Sequence, residues 1–124
     1  MAVTVVLAVE VDPWMLMAQE PAWRSEGYIV IHAHSIREAI GHFNAGDFDL
    51  VLLGHSMTIE NKERLTYLIR ASGSSTPVVC ISSSNDVRDT FADATLTNDP
   101  HELLSGIRGV LARKTRLPAV LQVA

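Results

Sequence analysis

Short apolar runs alternate along the chain with segments whose apolar residues recur at helical spacing. Val3 to Val9 is a continuous run rich in β-branched residues, the pattern of a strand covered on both faces. Asp12-Pro13 then reads as a helix N-cap followed by proline at the first helical position, where its missing N–H is no loss. The pattern predicts a helix from Pro13 to about Ser25, ending near Gly27. Pro21 falls inside it and would crowd the Met17 carbonyl, so a kink or break is expected there. Tyr28 to His32 is a second strand. Ser35-Ile36-Arg37-Glu38 is a capping box that opens a helix through Ala45, and Gly46 is placed to end it in the left-handed conformation.

Asp49 to Leu53 is a third strand, and a helix is expected from Ile59 to Ala71 with Leu65, Leu68 and Ile69 on its inner face. Gly73 to Pro77 is a turn before a fourth strand, Pro77 to Ile81. A loop, Ser82 to Asp86, leads to a short helical piece around Val87 to Ala92, and Thr95 to Thr97 is a brief fifth strand. Asp99-Pro100-His101-Glu102 repeats the cap-plus-proline signature, and Leu103, Leu104, Ile107, Val110 and Leu111 share one face of the helix that follows. One domain is expected over residues 1–114, with 115–124 as a tail or linker stump. Such alternation implies an α/β, doubly wound, mostly parallel sheet with right-handed crossovers. In that architecture function gathers at the C-terminal ends of the strands, here Glu10-Val11-Asp12, Gly54-His55 and Ser82-Ser83.

Composition narrows the function classes. The chain has 124 residues, 48% hydrophobic content and a net charge of −4, so it fits one core and gives no electrostatic reason to expect direct nucleic-acid binding. The basic cluster Arg108, Arg113, Lys114 and Arg116 is read as complementing a helix C-terminus. The N-terminal apolar run is too short to span a bilayer, and the single cysteine suits a reducing, cytoplasmic setting. No enzyme site assembles. Cys80 sits in an apolar strand and Ser82-Ser83-Ser84 lacks a nucleophile elbow. Glu10-Val11-Asp12-Pro13 would repel a phosphate, and His32 and His34 have no third ligand, so neither a cofactor nor a metal is expected.

Several stretches together carry a family resemblance: Asp12-Pro13, the length from Pro13 to Gly27-Tyr28, Ser35 through Ile40, Asp49 to Leu53, Met57, Arg70 and Pro77-Val78-Val79. From Val5 to about Lys114 the chain resembles a response-regulator receiver domain of the CheY-like family. The resemblance implies a flavodoxin-like fold, a five-stranded parallel sheet in the order 2-1-3-4-5. It also implies which positions would carry phosphorylation chemistry. The two acids that hold magnesium fall at Glu10 and Val11, and the phosphoacceptor aspartate falls at Gly54. The hydroxyl falls at Ser82, the lysine at Asn98 or Asp99, and the switch aromatic near Thr95. Only Glu10 and Ser82 keep suitable chemistry. The span from Ser82 to Asn98 is short, implying a shortened fourth helix and an altered version of the surface that such domains commonly use to dimerise.

Substitute acceptors are poor. Asp49 lies at the opposite end of its strand, about 16 Å from Gly54 at 3.3 Å per residue. His55 is adjacent, but continuing the strand would point it to the other face. Asp12 has a competing duty as a helix cap. Trp14, with Met15 and Met17, stands beside the pocket mouth and is expected either to pack on the sheet or last helix, or to contact a partner or ligand. The expectation is a degenerate pseudo-receiver in signal transduction, acting through a protein partner without phosphorylation, with a homodimer allowed. The alternative is a sensor whose remodelled apolar pocket binds a small ligand.

Overall fold

Which residues are buried follows from strands that bury both faces and helices that bury one. The computed structural model describes residues 3–82, 91–97 and 99–123. In chain order the elements are β1 (Thr4–Val9), α1 (Pro13–Ala18), α2 (Glu20–Ser25), β2 (Tyr28–Ala33), α3 (Ile36–Ala45), β3 (Leu50–Leu53), α4 (Ile59–Ala71), β4 (Val78–Ser82), β5 (Ala94–Thr97) and α5 (Pro100–Val123). The strands form one parallel sheet in the order β2-β1-β3-β4-β5. This is the flavodoxin-like order expected. Every residue of β3 and of β4 is buried, as their uninterrupted apolar runs require.

Alternation along the strands divides the core in two. Val6, Ala8, Leu50, Leu52, Val79 and Ile81 meet Leu16 of α1, Trp23 of α2, and Leu103, Ile107 and Val110 of α5. Leu7, Val9, Val51, Leu53, Val78 and Cys80 face the opposite way, against Ala39 of α3 and Leu65 and Ile69 of α4. At the N-terminal end of the sheet, Asp49 accepts a hydrogen bond from the Val5 amide at 2.8 Å, which confirms its distance from the site end.

Proline splits the first helical segment. α1 stops at Ala18, Gln19 carries non-helical angles, and Pro21 sits in the first turn of α2, where it needs no amide partner. The break falls two residues before the proline because a proline within the helix would displace the turn preceding it. The break also turns Trp23 inward: it is 2% exposed and meets Tyr28 edge-on at 6.0 Å. Burial pushes the Tyr28 hydroxyl pKa up, Glu26 adds to that, and Arg108 opposes it.

Several local expectations change. Gly46 does end α3, but in an extended rather than left-handed conformation, at φ −153° and ψ 177°, so its role is to leave the helix directly. Leu68 is half exposed, and the inner stripe of α4 is instead Lys62, Leu65, Thr66 and Ile69, at the i, i+3, i+4, i+7 spacing of one helical face. Helical backbone continues through Val123, past Lys114, where a tail was expected. The short helix expected around Val87 to Ala92 lies, up to residue 90, outside the described residues, so the shortened fourth helix does too.

Trp23 anchors one core layer. A Trp23→Ala variant is expected to lose about 3–5 kcal/mol of stability, read as a fall in the urea midpoint.

Candidate functional site at the C-terminal strand ends

Register brings the strand ends together. Val9 lies between Ala33 of β2 and Leu53 of β3, and Leu53 pairs with Cys80 of β4. Beyond Val9 the chain does not continue as a strand. Glu10 donates its amide to Ala33 O at 2.8 Å and adopts φ 52°, a left-handed conformation that costs a non-glycine residue about 1–3 kcal/mol. This turns the Glu10 carbonyl across the end of β3, where Ser56 Oγ donates to it at 3.2 Å.

The carbonyl comes to lie where a side chain on residue 54 would begin. A Cβ built on Gly54 would collide with the Glu10 carbonyl oxygen, stand 2.6 Å from its carbonyl carbon and 3.0 Å from Val11 Cα. These are backbone atoms, so no rotamer change relieves the clash. Gly54 is held from both sides, donating its amide to Val9 O at 2.9 Å and accepting from the Met57 amide at 3.2 Å. Glycine here is a packing requirement.

Around this closure the other positions scatter. Val11 is buried and joins the core layer of Leu16 and Trp23. Asp12 accepts from the Trp14 amide at 3.0 Å, so its carboxylate serves as the cap of α1. Ser82 is buried at the end of β4, opposite Thr97. Asp99 caps α5, accepting from the amides of His101 at 2.9 Å and Glu102 at 3.3 Å. Thr95, half-buried, pairs with Cys80, and Asn98 lies outside the described residues.

Glu10, Val11, Asp12, Pro13, His34, His55 and Ser56 line an open cavity of about 400 Å³. His55 therefore lies in this cavity and not on the opposite face, because β3 ends at Leu53 and strand alternation no longer governs it. Trp14 is 77% exposed and does not pack on the sheet or on α5, since the break after α1 leaves that helix one short segment with only Leu16 buried. It is not in the cavity lining. His32 and His34 separate: His32 lines a different cavity, between α1–α2 and β2.

The magnesium implied by the resemblance does not fit these residues. One carboxylate position is the buried Val11, the acceptor position carries no side chain, and Asp12 is engaged as a cap. Among the described residues no group of three or more His, Cys, Asp or Glu side chains is placed to hold a metal ion.

Lys62 was not singled out from the sequence. It is 5% exposed, and its Nζ donates to Ile81 O at 3.2 Å, beside Ser82. The signal was available in its spacing, one turn before Leu65 and Thr66 on the inner stripe of α4.

Replacing Gly54 with alanine is expected to destabilise the fold by at least about 1–3 kcal/mol, as overpacking against backbone does. Asp12→Ala is expected to lose about 1 kcal/mol through the cap alone. Denaturant midpoints of both variants check this; an unchanged Gly54→Ala midpoint would refute the contact.

No protein-family model and no curated protein matches the chain. Solved structures do. CheY4 of Vibrio cholerae, a chemotaxis response regulator, is similar at 19% identity and TM-score 0.73, covering 88% of this chain and 99% of its own. A putative response regulator from Chloroflexus aurantiacus is similar at 20% identity and TM-score 0.74, covering 90% and 99%. The signal receiver domain of an HD domain-containing protein from Pseudomonas fluorescens is similar at 16% identity and TM-score 0.76, covering 96% and 94%. Identities this low establish the fold alone: this chain has the fold of response-regulator receiver domains.

Proposed function

We propose that the protein is a signalling domain of the receiver fold that works through contacts with a protein partner and does not accept a phosphoryl group. The observation that carries this reading is the Glu10 carbonyl lying over Gly54. Phosphorylation needs a carboxylate at that strand end, room for a phosphoryl group and a cation to balance its charge. Here backbone occupies the place a side chain on residue 54 would take, Asp99 is a cap, and Lys62 is committed to a main-chain carbonyl.

Partner contact has independent support. Trp14 and Met17 are both strongly exposed on α1, and tryptophan in such a setting is a common anchor of protein interfaces. A response regulator named TrrA, similar in fold at 21% identity, was solved in complex with the histidine kinase ThkA, so the fold can present a protein-binding face. No helix among the described residues is long and apolar enough to cross a membrane.

The test is incubation of the protein with magnesium and a small-molecule phosphodonor, followed by intact mass and peptide mapping. No covalent phosphate is expected on the native chain, and Gly54→Asp is expected not to restore efficient labelling. Stable phosphorylation within residues 54–56 of the native chain would overturn the proposal.

A further inference from the structure

Trp23 is buried, yet its indole nitrogen has no hydrogen-bond partner among the described residues. Of the buried side-chain nitrogens and oxygens described, it alone is in that position. The indole N–H can only donate, so nothing but an acceptor satisfies it. Folded proteins pair the large majority of their buried polar atoms, because an unpaired one has lost its hydration with no return. The proline-driven break between α1 and α2 is what brings this donor inward.

Trp23 also lines the cavity of about 360 Å³ between α1, α2 and β2, a volume within the range of small-molecule sites. Leu16, Met17, Tyr28, Ile29 and Val30 supply the rest of its apolar lining. Met17, unbranched and 63% exposed, is the adaptable part of that wall. The charged side chains of the lining are Glu20 and Arg24, and they join each other as an ion pair. Neither sign of charge is thus left over to hold an ion. Burial pushes the Tyr28 hydroxyl pKa up, so that group stays neutral as well.

We propose that this cavity binds an uncharged, largely apolar small molecule through one carbonyl oxygen, which accepts from Trp23 Nε1. Covering Leu16, Val30 and the indole ring supplies most of the affinity. The carbonyl supplies the selectivity. The donor is already stripped of water in the free protein, so only the oxygen of the ligand has hydration to lose. A molecule of the same shape without the oxygen leaves the indole as it was. The inference uses α1, α2 and β2 and makes no use of Gly54, so it stands apart from the reading of the strand ends.

The test is titration of the full chain with acetophenone, and in parallel with isopropylbenzene, which carries a methyl group in place of the oxygen. The chain has two tryptophans, Trp14 and Trp23, hence two indole N–H resonances. A saturable downfield shift of the Trp23 indole proton is expected with the ketone and not with the hydrocarbon, while the exposed Trp14 stays unmoved. Trp23→Phe keeps an aromatic ring and removes the donor. In that variant, with an unchanged circular dichroism spectrum, the ratio of ketone to hydrocarbon affinity is expected to fall about tenfold, the loss of one hydrogen bond to a buried donor. The ratio is the readout because it cancels the different solubilities of the two compounds. No saturable response at Trp23, a response at Trp14 in its place, or an unchanged ratio in folded Trp23→Phe would overturn the proposal.

Discussion

The β1–α1 turn rests directly on Gly54, and the rest of the site is arranged around that contact. Because Glu10 takes a left-handed conformation, its carbonyl crosses the end of β3 and its amide ties back to Ala33. The turn that follows buries Val11 in the core and delivers Asp12 to cap α1. Only a residue without a side chain lets the turn come this close. The strain at Glu10 is offset by its hydrogen bonds to Ala33 and Ser56 and by the burial of Val11.

This closure ties Gly54, Val11 and Asp12 to one another. An aspartate at 54 would have to displace the turn, which would pull Val11 from the core and disturb the cap at Asp12. On the other side of β3, Lys62 reaches the carbonyl of Ile81 from within the inner stripe of α4. A buried ammonium bonded to main-chain oxygen stabilises the strand end only while it stays there. The strand ends on either side of Gly54 are thus held by main-chain contacts.

Much of the fold was legible in the sequence because its signals are local. The buried runs of β3 and β4, the caps at Asp12, Ser35 and Asp99, and the proline-driven break before α2 each follow from a few neighbouring residues. That residues 54 and 11 carry no carboxylate is read directly from the sequence. Three things were not legible there. The collision of a Cβ with the Glu10 carbonyl depends on the path of a distant turn. The exposure of Trp14 depends on how short α1 becomes once the helix breaks. The position of His55 depends on where β3 ends, and one residue decides which face it meets.

Magnesium titration, followed through the backbone amide resonances of Glu10, Val11, Asp12, Trp14 and residues 54–57, tests the closure over Gly54 most directly. No saturable shift is expected at these amides, because the turn over Gly54 leaves no set of carboxylates for the ion. A saturable response confined to Glu10, Asp12 and Gly54 would mean that the turn opens into an ion pocket, and would contradict the account.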